Sequence, residues 1–304
     1  MKEFVKRLLL FILPIFIVAI ILEVVLRRIP NNYSYKRKYL DANAPYINVL
    51  VLGNSHAFYG IDPSYIHGNC FNACCNSQSL DYDWAILHKY SHKLNHLKYI
   101  VVPIDYPSLY KNLNNTAEAW RVKDYVIYYG FYRSTNIADY SELTSNKLLN
   151  NLQRIINYYY NRSSTDIYCS ATGWGTDDNS KNKQDLTSTG EVTAARHTEK
   201  NPDCFNENVG VVKAIIDVAK AQHAKVIFYT SPAYKTYVQH LDTSQMNTTV
   251  RTMAKIVADC NNSRYYNLLT DTLFTAADYY DADHLNEKGA KKLSLKIDSL
   301  ILTD

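Results

Sequence analysis

Three short apolar runs of one design constrain the fold more than anything else in the chain. "YINVLVLGNSH" (46–56), "LKYIVVPID" (97–105) and "AKVIFYTSP" (224–232) are rich in β-branched residues, are apolar without alternation, and stop at turn-forming or polar residues. Unbroken apolar runs of this length suit strands buried on both faces, the condition of a parallel sheet. Helical patterns lie between them, over 79–94 and over 208–224, where Val211, Ile215, Val218 and Ala219 recur at steps of three and four. A third helix over about 245–260 precedes the short apolar "YYNLL", and a last one runs over about 287–300. Strand and helix in alternation predict a doubly wound α/β fold with a parallel sheet.

Residues 107–206 break this rhythm and are rich in Asn, Ser, Thr and Tyr. They are expected to form an insertion into the α/β domain, with helices over about 117–129 and 144–160 and a long loop. Tyr128, Tyr129, Tyr158, Tyr159, Tyr160 and Trp174 in this segment either make a ring-stacking surface for a carbohydrate or fill core and surface, and the second reading is the simpler.

The N-terminal segment stands apart from the fold. Leu8 to Leu26 is apolar except for Glu23 and is flanked by Lys and Arg on both sides. Its length, about 28 Å as a helix, matches the hydrocarbon core of a bilayer. The following "RRIPNNYSYKRKY" offers no small-x-small cleavage site, so an uncleaved anchor is expected rather than a removed signal. The expected organisation is an anchor over 1–28, a linker over 29–46 and an α/β domain over 47–304. Because basic residues stand on both sides of the run, the charge count does not fix its orientation. Residues 1–38 carry a net +6 and the whole chain +4, so the remainder is at −2. The basic character therefore belongs to the anchor, and no nucleic-acid surface is implied. None of the six cysteines forms a C-x-x-C pair; "CFNACC" would supply either a disulfide or buried thiols.

In open α/β sheets ligands bind beyond the carboxyl ends of the strands, where a strand over 47–52 delivers Gly53, Asn54, Ser55 and His56. Gly53 permits a tight turn, and Ser55 is a candidate nucleophile. The G-x-S-x-G elbow of α/β-hydrolases is not met, because Ala57 holds its last position. A serine nucleophile needs a base. His56 adjoins it, but neighbouring side chains usually point apart, and His67, His88, His92 and His96 have no acidic partner at a telling spacing. "YYDADHLNEKG" places Asp281 three residues before His284, so one loop holds an imidazole and a carboxylate to orient it. Taken alone, D-x-x-H is more often a helix-capping segment. His56, Asp281, Asp283 and His284 could gather round a cation, but no H-E-x-x-H or similar ligand spacing occurs, and no metal is expected.

G-x-S after the first strand and D-x-x-H-x-N before the last helix, about 230 residues apart, together resemble the first and last sequence blocks of the SGNH/GDSL hydrolase superfamily, over about residues 47–304. The resemblance implies a flavodoxin-like three-layer α/β/α fold, with Ser55 as nucleophile, His284 as general base and acid, and Asp281 orienting His284. No cofactor is implied. In that family the oxyanion hole combines the nucleophile's N–H, a glycine N–H after the second strand and an asparagine side chain after the third. Here "CFNACCNSQSLDYD" has Cys74, Cys75, Asn76 and Ser77 in place of the glycine, and "VVPIDYPSLY" offers Asp105 in place of the asparagine. Asn54, Asn76, Ser77 and Gln78 are the candidate oxyanion or substrate-binding residues.

The anchor, the insertion and these departures resemble the membrane-anchored branch that includes the alginate O-acetylation and teichoic-acid D-alanylation proteins. That likeness implies a single pass through the cytoplasmic membrane, an extracytoplasmic catalytic domain and an acylated cell-envelope saccharide or other small ester as substrate. Proteins of that branch sometimes work with a multipass acyl-transferring membrane partner. The expected function is a serine esterase or O-acyltransferase. The alternative is a non-catalytic envelope protein that keeps the fold and binds polysaccharide or an assembly partner.

Overall fold

The computed structural model describes residues 1–162, 165–199 and 203–303. The chain divides into two compact units, one of residues 38–116 and 169–304, the other of residues 1–37 and 117–168.

The first unit is built on a five-stranded parallel sheet: β1 (Val49–Val51), β2 (Cys70–Asn72), β3 (Tyr99–Pro103), β4 (Lys225–Thr230) and β5 (Ser263–Asn267), in the order β2-β1-β3-β4-β5. Each expected run supplies one strand, β2 lies in "CFNACC", and β5 overlaps "YYNLL". Val49, Leu50 and Val51 pair in register with Tyr99, Ile100 and Val101. Val49 to Leu52, Ile100 to Val102 and Val226 to Tyr229 are almost fully buried, as parallel strands covered on both faces require. Helix Glu287–Thr303 packs on the short helix Ser55–Gly60, and Phe205–Ala221 packs on Leu80–Tyr90, giving the helical layers of a flavodoxin-like α/β/α fold.

Two stretches expected to lack helix contain one: Asn32–Asn43 lies within the expected linker, and a second helix lies in the insertion. Leu186–His197, in the stretch expected to be loop, is a helix. Its sequence LTSTGEVTAARH is poor in strong helix formers, but the Asp185 carboxylate accepts the N–H groups of Thr187 and Ser188 at its start. Gly190 lets it close on Thr236, where a Cβ would lie 2.6 Å from the Thr236 carbonyl carbon. Packing and a cap outweigh propensity.

The second unit contains the helix Lys2–Arg27, about 39 Å long. Among the described residues it is the one helix long and apolar enough to cross a membrane, and its apolar side chains are largely uncovered. Glu23, the single charge in the apolar run, is bound rather than bare: it accepts from the Ser141 hydroxyl at 2.8 Å, the N–H groups of Glu142 and Leu143 at 3.1 and 3.0 Å, and Arg27 Nε at 2.6 Å. Beneath that loop, Glu142 is fully buried and meets Lys123 Nζ at 3.1 Å, Arg154 Nη1 at 2.9 Å and the Tyr128 hydroxyl at 2.6 Å.

The helix expected over 117–129 is broken into a 3-10 turn, Val122–Asp124 and a π turn Tyr125–Tyr129 that ends at Gly130 with φ +73°. That expected over 144–160 is Leu148–Ile155, continued by a π turn Ile156–Tyr160. Tyr128 and Tyr129 are buried, so they fill core and leave no sugar-stacking surface of their own.

Candidate active site

The site forms at the carboxyl edge of β1 and β3, where the sheet order reverses direction. Gly53 makes the turn: its φ is +132°, and a Cβ would lie 2.4 Å from the Pro103 ring at the end of β3. Asn54 then caps the helix Ser55–Gly60, its Oδ1 accepting the His56 N–H at 2.9 Å while its Nδ2 donates to Asp105 Oδ2 at 3.1 Å. This cap orients Ser55 and His56 in different directions, so both enter the site from one turn.

Ser55 Oγ lies 2.8 Å from His284 Nε2. His284 Nδ1 is 3.0 Å from each oxygen of Asp281, and Asp281 Oδ1 also accepts the N–H groups of His284 at 2.7 Å and Asp283 at 3.0 Å. The loop that carries them is closed by the Tyr280 N–H donating to the His284 carbonyl at 2.9 Å. Asn286 staples its far end, donating to the Ala277 and Tyr279 carbonyls and capping the last helix through Oδ1. The structure therefore brings Ser55, His284 and Asp281 together as expected, while Asn286 takes the capping role.

A second row of side chains, which sequence reasoning missed, lies behind the first. His56 Nδ1 is 2.8 Å from Asp105 Oδ2, and His56 Nε2 is 3.1 Å from Asp283 Oδ2. All three are almost fully buried. Asp105 also accepts the Ser231 N–H, at 2.9 Å. Asp283 Oδ1 stands 3.6 Å from His284 Nδ1, so it touches both imidazoles. No spacing in the sequence advertises the clamp. Its one trace is two surplus carboxylates, Asp105 at a strand end and Asp283 beside His284, which need a buried counter-charge.

Burial disfavours a charge on either ring, but the carboxylates outweigh it. Asp105, then Asp283, push His56 up to about 10, and Asp281 and Asp283 push His284 up to about 9. Burial would raise Asp283 and Asp105, yet the imidazoles hold both carboxyls below their ordinary values. Nearby His197, bonded through Nδ1 to the Tyr237 hydroxyl at 2.9 Å, is pushed by burial down to about 3 and stays neutral. Asp178, in the same electrostatic field, is pushed by burial up to about 7 against the pull of His284.

The other candidates are placed differently. Asn76 Nδ2 donates to the Tyr59 hydroxyl at 3.2 Å, and Gln78 Nε2 to Asp83 at 2.6 Å. Ser77 holds φ +58°, the left-handed conformation a glycine would take without strain. The Asp105 carboxylate is engaged with His56, Asn54 and Ser231, so its charge is compensated. Trp174 donates to the Tyr59 carbonyl at 2.7 Å, and Gly175 packs where a Cβ would lie 2.7 Å from the Phe58 ring, so "GWGTDD" lies on the helix of Ser55. Among the described residues, His56, Asp283 and His284 come nearest to a metal-ligand cluster. An ion there would displace the bonds just described.

This arrangement can carry out a serine acyl relay: an imidazole takes the hydroxyl proton, and a carboxylate keeps its ring in the productive tautomer. The sheet order is that of a flavodoxin-like α/β/α fold. No family model matches the chain, and no curated protein matches it. The chain is similar in layout to a number of solved structures, three of which follow. A Streptococcus pneumoniae protein assigned as a platelet activating factor has TM-score 0.46 and 10% identity, over 96% of this chain and 98% of that one. A Bacteroides thetaiotaomicron GDSL-like lipase has TM-score 0.43 and 12% identity, over 89% and 98%. A Bacteroides fragilis protein assigned as an acylhydrolase has TM-score 0.42 and 11% identity, over 88% and 95%. At these values the likeness assigns no residue a role.

Proposed function

We propose that the protein is a serine esterase or O-acyltransferase of the SGNH/GDSL type, acting through an acyl-Ser55 intermediate. The observation that carries this is Ser55 Oγ at 2.8 Å from His284 Nε2, with Asp281 holding the opposite ring nitrogen. Ser55 Oγ attacks the acyl carbonyl as its proton passes to His284 Nε2. The same proton then goes to the departing alkoxide oxygen. Water or a sugar hydroxyl attacks the acyl-serine, gives its proton to His284, and the proton returns to Ser55. Asp281 holds the ring in its productive orientation throughout.

The substrate we propose is an acylated cell-envelope saccharide. The helix Lys2–Arg27 would hold the protein at the cytoplasmic membrane as a single pass with the α/β unit outside, and a multipass acyl donor is the proposed partner. A second reading, a non-catalytic envelope binding protein, is favoured by one observation. Asn54, Asn76 and Gln78, the side chains that would complete an oxyanion hole, donate to Asp105, Tyr59 and Asp83 instead.

The test treats the full chain in detergent with p-nitrophenyl acetate and a fluorophosphonate, with and without a chelator, beside Ser55→Ala and His284→Ala. Labelling and acetate release that vanish in both variants and ignore the chelator support the relay. No labelling of folded wild type puts the binding reading first.

A further inference from the structure

The helix Leu148–Ile155 and its continuation Ile156–Tyr160 turn two polar residues inward and an apolar stripe outward. Asn151 is buried with Nδ2 on the Glu142 carbonyl at 3.0 Å, and Arg154 reaches Glu142 and Asp166 at 2.9 Å, while Asn150 and Gln153 are exposed beside the stripe. Leu148, Leu149, Leu152, Ile156 and Tyr160 are exposed, Leu149 at 75% and Tyr160 at 86%, and their spacing lays the aliphatic ones along a single stripe. A water-facing helix has the opposite arrangement, and contiguous exposed apolar surface of this kind marks an interaction face.

What covers the stripe is indicated by its attachment. The Tyr159 hydroxyl donates to the Val25 carbonyl in the last turn of the helix Lys2–Arg27, at 3.1 Å. The loop just before the stripe is bound to Glu23, and Arg27 donates to the Tyr140 carbonyl at 2.6 Å. The apolar stripe is thus fastened to the end of a helix whose own uncovered side chains need hydrocarbon. Tyr132 and Tyr140, stacked at 6.3 Å, and Ile137 are exposed on the same loop, the amphipathic ring chemistry found where membranes meet water.

We infer that the stripe Leu148, Leu149, Leu152 and Ile156 enters the lipid bilayer beside the anchor, as an interfacial helix whose occupant is acyl chain rather than protein. The inference rests on the membrane reading of Lys2–Arg27 and is independent of the chemistry at Ser55. It gives the 117–168 segment a task, a second foothold beside a single span.

The experiment places nitroxide labels on the full chain in a Cys169→Ser, Cys260→Ser background, reconstituted in phosphatidylcholine vesicles. Labels go at Leu149→Cys, Leu152→Cys and Ile156→Cys, with Gln153→Cys as a polar-side control and Ile17→Cys as a span reference. Collisions with oxygen and with a water-soluble nickel chelate are compared. The stripe positions are expected to match Ile17, with oxygen contact exceeding nickel contact severalfold, and Gln153 to show the reverse. Nickel-dominated contact at the stripe with oxygen-dominated contact at Ile17 overturns the inference and leaves the anchor standing. Nickel-dominated contact at all positions overturns both. Stripe labels shielded from both reagents mean that protein, not lipid, covers this face, and also overturn it.

Discussion

The His56 imidazole lies over the His284 imidazole, ring centroids 4.9 Å apart and planes 27° from parallel. The two rings thus share one space with three carboxylates, Asp105 on His56, Asp281 on His284 and Asp283 in contact with both. A positive His56 opposes the protonation of His284, while Asp283, which touches both, favours it. The imidazole facing Ser55, the proposed base, is tuned by a residue that does not touch the serine hydroxyl.

Replacing His56 separates these effects. His56→Asn leaves Asp105 and Asp283 buried without their counter-charge, a loss expected to cost about 3–5 kcal/mol. With the opposing cation gone, His284 should hold its proton to a higher pH. Urea denaturation reads the first effect and the pH dependence of fluorophosphonate labelling the second. An unchanged pH profile in folded His56→Asn would remove the tuning role.

In the wild type His284 must lose its proton to act as a base, and its raised value near 9 sets when. Labelling should therefore be slow at pH 6.5 and climb toward pH 9. Stability runs the other way. A folded-state value above the unfolded 6.5 makes the contribution of His284 complete below about pH 6.5 and lost as pH rises through about 9, and that of His56 lost through about 10. Thermal midpoints falling across that window while labelling rises would show both; a labelling rate already flat from pH 6 would contradict it.

Asp281→Asn ordinarily costs a triad of this kind about 10⁴-fold. A smaller loss is expected here, because Asp283 Oδ1 already stands 3.6 Å from the same ring nitrogen and can take over its orientation. Labelling kinetics of Asp281→Asn, compared with the Asp281→Asn, Asp283→Asn pair, decide between backup and bystander.

Gly53→Ala is expected to cost about 3 kcal/mol, through both the positive φ and the Cβ driven onto Pro103. Adding Pro103→Ala should recover only the steric share. Full recovery in the denaturation midpoint would show that φ carries no strain.

Ser77→Gly should stabilise the fold by about 0.5–1 kcal/mol, because only the L side chain is strained at φ +58°. Ser77→Val should do the reverse. Calorimetric midpoints check both.

The parts of this protein that sequence alone determined are those that depend on neighbours along the chain. Unbroken Val and Ile runs can be satisfied only as strands buried on both faces, which gives the parallel sheet, and the strand ends then deliver Ser55. Asp281 and His284 meet because they stand three positions apart in one loop. Tertiary structure decided the rest, because the partners are remote in the chain. Asp105 and Asp283 lie 49 and 227 residues from His56, and only the closed sheet edge makes a buried imidazole between them favourable. Leu186–His197 is a helix because Thr236 packs against Gly190 and Asp185 caps its start, not because its residues prefer one. The Leu148–Tyr160 segment has helical periodicity in its sequence, but which face turns outward was set by Glu142 and Asp166 drawing Arg154 inward.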